Sequence, residues 1–200
     1  MSTVHILNGA FTRRSSGLGS MANVVPYLES HGLEVAPHIY GWVDPINVRE
    51  ANQQIAEQIA RVCQPGDVLM GFSNSGLIVH DAIEAGAQPC AAVVLQPALR
   101  RDTQWPDGEY RVLCTFNRGD WVVQLSRSWG RLVQRTGVEW HGWGAAGRHG
   151  FTHPDPRITN WDTHPITGHR GPTQASEVLA PVARWTKSQI ALAQRAGEAA

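Results

Sequence analysis

Long apolar runs, a surplus of charge of either sign and paired cysteines are all missing from this 200-residue chain. No stretch approaches the ~20 consecutive apolar residues of a spanning helix, so no membrane span is expected. Lys and Arg number 17, as do Asp and Glu, which gives no electrostatic case for nucleic acid or an anionic membrane surface. The three cysteines, Cys63, Cys90 and Cys114, are odd in number, far apart and set in or beside apolar runs. They read as buried free thiols of a reducing compartment. No basic segment, apolar stretch and cleavage site follow Met1, so a cytoplasmic location is expected. Nucleotide signatures are missing too. The polar, Gly-rich stretch Thr12–Ser20 has neither the Gly-x-Gly-x-x-Gly nor the Gly-Lys-Ser/Thr spacing that cradles phosphates.

What the chain does contain is Gly and Pro, 20 and 12, and 8 Trp. This suits one loop-rich α/β domain over residues 1–200, with indoles available to line a pocket. Strand and helix patterns alternate along it. Val4–Leu7 reads as a strand, Met21–Ser30 as a helix, Leu33–Tyr40 as a strand and Asn47–Cys63 as a helix with Val48, Ile55, Ile59 and Val62 on one face. Pro65-Gly66 then punctuate a short strand, Asp67–Met70, and helical spacing resumes at Leu77, Ile78 and Ala82. Ala91–Leu95, Tyr110–Phe116 and Val138–Trp143 are further strand candidates, Trp121–Thr136 a helix, and Thr173 to about Arg195 the terminal helix. Such alternation predicts a mostly parallel sheet with helices on both faces. From Gly144 to Gly171 the composition predicts a long loop near the site, with Phe151 and Trp161 as candidate lining residues.

The organising stretch is Pro65–Ile83, a strand, a sharp turn and a helix with Ser73 at the turn. Gly71, Ser75 and Gly76 around it are small enough to let one side chain project without a clash, and helix N–H groups beneath Ser73 would favour developing negative charge. With Gly71-Phe72-Ser73-Asn74-Ser75 in that setting, the chain resembles an α/β-hydrolase over nearly its whole length, of the small, cap-less serine esterase type of bacteria and phages. Ser75 stands where Gly is more common. A plain helix cap, with Ser73 or Ser75 accepting backbone N–H bonds, is the structural alternative.

The resemblance implies a three-layer α/β/α sandwich, a Ser-His-Asp triad in that fold's chain order of Ser, Asp, His, and no cofactor. By the same resemblance the backbone N–H groups of Ala10, after Asn8-Gly9, and of Asn74 would form the oxyanion hole. Because the backbone acts there, the side chains at these positions are not expected to matter. Only Ala98–Glu109 separates two strands where a helical cap is often inserted, so an open site is expected. Asp120, in Asn117-Arg118-Gly119-Asp120-Trp121, is the candidate acid, and it would also cap the helix behind it.

Five histidines, His141, His149, His153, His164 and His169, lie in or beside the long loop. His169 is the preferred base because Gly168-His169 comes just before the terminal helix. His149 is the alternative base, because Arg148-His149-Gly150-Phe151 follows the expected last strand more closely. His149 and His153 are four apart, but Gly150 and Pro154 break the helix that a zinc-binding pair needs, so no metal is expected. Arg13 and Arg14 are either a solvated loop or partners for an anionic substrate group. The expected activity is acyl-ester hydrolysis through an acyl-enzyme, on a small-molecule or polymer-borne ester. Thioesterase, amidase, lactonase or acyltransferase chemistry, or a non-catalytic ligand-binding protein on the same scaffold, are the competing expectations.

Overall fold

A computed structural model describes residues 2–9, 12, 17–40, 48–122, 125, 143–166 and 168–198. Strands that are apolar on both faces need cover on both sides, which a parallel sheet between helix layers supplies. Strands β1 (Thr3–Leu7), β3 (Val68–Phe72), β4 (Ala91–Leu95) and β5 (Arg111–Phe116) are of this kind, buried almost throughout. β2 (Glu34–His38) and β6 (Ile158–Asp162) are partly exposed, as sheet edges can be. Among the described residues these strands form one sheet in the order β2-β1-β3-β4-β5-β6, and every pairing is parallel.

Alternation along the strands sorts the core into two layers. Val4, Ile6, Met70, Val93 and Leu113 face helices α1 (Val25–Ser30) and α5 (Ser176–Glu198), meeting Leu28, Val178 and Val182. Leu7, Leu69, Ala92, Val94 and Cys114 face α2 (Val48–Val62) and α3 (Ser75–Glu84), meeting Ala56, Ile59, Ile78 and Ala82. Among the described residues no helix is long and apolar enough to cross a membrane.

The strand order reverses between β1 and β3, since β2 lies on one side of β1 and β3, β4, β5 and β6 follow on the other. In open parallel sheets the crevice beyond the strand ends at such a point is where ligands bind. Here it holds Asn8-Gly9 after β1 and Ser73 after β3.

The structure corrects two of these expectations and leaves two largely outside the described residues. The first helix opens as a 3-10 turn, Gly19–Asn23, and becomes α-helical only at Val25, with Pro26 in its first turn. The stretch 144–171 is not a bare loop, because it carries a single helical turn, α4 (Ala146–His149), and the sixth strand. The strand expected over Val138–Trp143 lies outside the described residues except for Trp143, as does most of the helix expected over Trp121–Thr136. The described strand beside β5 is β6, paired Val112 to Ile158 through Phe116 to Asp162. As expected, no helix occurs between β4 and β5. All three cysteines are free thiols, with Cys63 and Cys114 buried but Cys90 only half-buried.

A buried polar group closes the opposite side of the sheet. Burial alone would raise the Asp67 carboxyl, but the N–H groups of Thr3 and Gln64, each at 2.8 Å, and the His5 imidazole at 3.0 Å outweigh it and hold it low. His38 Nε2 lies 2.9 Å from His5 Nδ1, and burial, then the neighbouring His5 charge, pushes His38 down to about 4. An unfolded histidine titrates near ~6.5. Across the window from there down to about 4 the unfolded chain takes up a proton that folded His38 refuses. Stability from this group is therefore fully present above the window and falls on acidification through it. Urea unfolding at about pH 7 and about pH 4.5 should show this loss in the wild type and a smaller loss in His38→Gln. Equal losses in both proteins would contradict a neutral, half-buried His38.

Candidate active site

Ser73 follows β3 with a φ of +58°, a left-handed conformation that is strained for a residue with a Cβ. Three hydrogen bonds hold it there. Its N–H donates to Leu95 O at 3.0 Å, and its carbonyl accepts from Gly76 N at 3.1 Å and Ala98 N at 2.9 Å. The surrounding small residues are needed for close approach. A Cβ on Gly71 would lie 2.6 Å from Ser75 O, and one on Gly76 would lie 2.7 Å from Pro97 Cβ.

Ser75, the departure from the commoner Gly, is fully buried and has a role of its own. Its Oγ accepts from Phe72 N at 2.7 Å and donates towards Phe72 O at 2.9 Å or Leu7 O at 3.1 Å. The hydroxyl thus ties the end of β3 to the end of β1. On β1, Asn8 is fully buried where the resemblance has His. Its Oδ1 accepts from Tyr40 N at 3.1 Å, its Nδ2 donates to Gly9 O at 2.9 Å, and its carbonyl accepts from the Tyr40 hydroxyl. Burial raises the Tyr40 phenol above its ordinary range, so it stays protonated and able to donate. Ala10, the first expected oxyanion donor, lies outside the described residues, as do Arg13, Arg14 and His141.

Asp120 and His169 come together. His169 Nδ1 lies 2.6 Å from Asp120 Oδ2, with the carboxylate side chain fully buried and the imidazole 11% exposed. The His169 ring packs on Phe72, the residue before Ser73, with centroids 4.7 Å apart. Asn117 joins the two loops that carry the pair. Its carbonyl accepts from Asp120 N at 2.9 Å, its Oδ1 from Gly119 N at 2.8 Å, and its Nδ2 donates to Ile166 O. Thr163 adds N–H and Oγ bonds to Phe116 O at 2.9 and 3.0 Å. The other expected base, His149, is exposed at the end of α4 and precedes the last strand, so the chain-order argument for it fails. His153 and His164 are exposed as well. Phe151 belongs to the core, edge-on to Trp105 at 5.8 Å, and Trp161 packs against the other core layer.

Comparison of this architecture with solved structures gives a consistent answer. An esterase B from Lactobacillus rhamnosis superimposes with a TM-score of 0.59 at 12% identity, over 99% of this chain and 78% of the esterase. A Pyrococcus furiosus esterase gives 0.59 at 14% identity, over 94% and 83% of the two chains. A pyrethroid hydrolase from Sphingobium faniae gives 0.54 at 13% identity, over 93% and 97%. The chain has the α/β-hydrolase fold. No family model matches the sequence, and no curated protein is significantly similar to it.

Within this α/β-hydrolase fold several site residues escaped sequence reasoning. Asn52 is one, 2% exposed and paired with Asn74. It falls on the stripe of α2 marked by Ile55, Ala56 and Ile59, whereas Val62, expected on that face, is exposed; a polar residue on an apolar face was the available signal. Asn117, Ser75 and Trp143 gave no such signal, because their partners are remote in sequence. Gln96, the second strained non-Gly residue at φ +42°, follows β4 beside the strand–turn–helix elbow at Ser73 and donates to Thr115 Oγ1 at 3.0 Å.

The contact at Gly71 makes the elbow testable. Gly71→Ala should destabilise by about 1–3 kcal/mol, as overpacking does, and lower Tm by about 2–12 °C for a chain of this size. Gly197→Ala, where a Cβ meets nothing within 4 Å, should leave Tm level or slightly higher. Differential scanning calorimetry of both variants checks the contrast.

Proposed function

We propose that this protein is a serine hydrolase that cleaves a carboxylic ester or related acyl bond, with Ser73 as nucleophile, His169 as base and Asp120 as acid. The observation that carries this is the 2.6 Å Asp120–His169 contact, made in a buried setting next to a strained serine turn. A carboxylate on Nδ1 fixes the tautomer that leaves Nε2 to accept a proton. Ser73 Oγ then attacks the acyl carbon while its proton passes to Nε2, and Asp120 stabilises the imidazolium. The oxyanion is held by the backbone N–H groups of Ala10 and Asn74. Nε2 next protonates the leaving alcohol, the C–O bond breaks, and the acyl-enzyme remains. Water, giving its proton to His169, attacks that ester, and His169 returns the proton to Ser73 Oγ as its bond to the acyl carbon breaks, freeing the acid and Ser73.

The esterase and hydrolase neighbours agree with this chemistry, and the lack of a helix between β4 and β5 suits an open site for a small-molecule or polymer-borne ester. A fluorophosphonate probe should label Ser73, as mapped by peptide mass spectrometry, and Ser73→Ala should abolish labelling. His169→Ala should lower kcat for an aryl ester by about a thousandfold or more, while His149→Ala stays within about twofold. Labelling that survives His169→Ala but is lost in His149→Ala would reverse the choice of base. A wild type that never labels would reject the serine mechanism.

A further inference from the structure

The residue after the nucleophile is clamped through its side chain. Asn74 is fully buried, and its amide pairs reciprocally with that of Asn52 on α2. Asn52 Nδ2 donates to Asn74 Oδ1 at 3.1 Å, and Asn74 Nδ2 donates to Asn52 Oδ1 at 2.9 Å. A third bond comes from Trp143, whose indole Nε1–H donates to Asn74 Oδ1 at 2.8 Å. Both lone pairs of that oxygen are engaged, so the side chain is fixed at its far end from two directions.

Fixing the side chain restrains the backbone. Asn74 has φ −58° and ψ −35°, directly after the strained Ser73. A shift of the Asn74 Cα would swing its Cα–Cβ bond and pull the amide from its partners, so the clamp fixes where the backbone nitrogen stands, while Gly76 N and Ala98 N hold the carbonyl of the same Ser73–Asn74 peptide. No acceptor for the Asn74 backbone N–H occurs among the described residues. We infer that Asn52 and Trp143 are positioning residues that hold the Asn74 N–H at its oxyanion-binding position through the Asn74 side chain. The inference rests on the serine-hydrolase reading and extends it, giving the side chain at this position a role that the backbone argument alone denies it.

Asn52→Leu removes the amide pair while keeping a γ-branched side chain, and Trp143→Phe removes the N–H donor while keeping a smaller aromatic ring. Losing an oxyanion donor outright costs about 10²–10³ in kcat, so a donor present but unanchored should cost less: about tenfold for Asn52→Leu and about threefold for Trp143→Phe. KM should stay within about twofold, because the contact strengthens only in the transition state. Each kcat is referred to active sites titrated with the fluorophosphonate, and the labelling rate, which also needs the oxyanion site, should slow in parallel. If Trp143→Phe keeps the wild-type kcat and labelling rate, the clamp is refuted whether or not Asn52→Leu folds. A deficit that vanishes on active-site titration refutes it too, since that is what a purely structural role produces. A wild type that does not label at Ser73 instead removes the hydrolase reading itself, and the clamp falls with it.

Discussion

The left-handed backbone of Ser73 is the constraint to which the rest of this structure answers. A non-glycine residue at a φ of +58° carries a penalty of about 1–3 kcal/mol and persists only where its surroundings over-determine it. Two of its three backbone hydrogen bonds are made with Leu95 and Ala98, at and beyond the end of β4. The turn is therefore held chiefly by the neighbouring strand. Gly71 and Gly76 follow from the same geometry, because the chain passes so close to Ser75 and Pro97 that a methyl group would collide. Their smallness answers a packing demand that the turn creates.

A second joint depends on strand register. β5 and β6 run parallel with Phe116 opposite Asp162, so the loops that leave them start level. One carries Asp120 and the other His169, and bonds from Thr163 and Asn117 lash the two together before Asp120 meets His169. A buried, ionised carboxylate without partners would be costly. Asp120 draws its support from the loop of the next strand, which makes completion of the sheet a condition for completing the pair. The exposed Arg118–Asp162 contact at 3.0 Å spans the same gap, but at 74% exposure of Arg118 it adds little.

How much of this could be read from the chain follows from the range of each signal. The buried strands β1, β3, β4 and β5 were legible because they are mainly apolar, and the elbow because its small residues are contiguous. The meeting of His169 with Asp120 was legible through the place of His169 before the terminal helix. β6 was not, because an edge strand with half its residues solvated, Ile-Thr-Asn-Trp-Asp, lacks the apolar run that marked the others. Missing it made His149 look better placed than it is. Ser75 was legible as a small residue but not as a link, since the role of its hydroxyl depends on Leu7, 68 residues away. Asn117 and Trp143 fall in the same class. Their chemistry is ordinary for loops, and only the fold brings them to Ile166 and Asn74.

The Asn52–Asn74 pair separates stability from function. Replacing two buried, mutually bonded polar groups by apolar ones of similar shape is often neutral or stabilising, because the net gain of such bonds after desolvation is small. Stability alone therefore gives a weak reason for an asparagine on the apolar stripe of α2, where a leucine would join Ile59 and Ala56 in the core. Directional bonding is what the amide supplies and an alkyl group does not. An apolar contact tolerates small rotations at little cost, whereas the reciprocal amide pair and the indole N–H lose their bonds when the Asn74 side chain turns. Their place is directly behind the strained serine, at the peptide that meets the oxyanion in the proposed mechanism. Within this fold the polar intrusion into α2 is best understood as precision obtained at the expense of core burial.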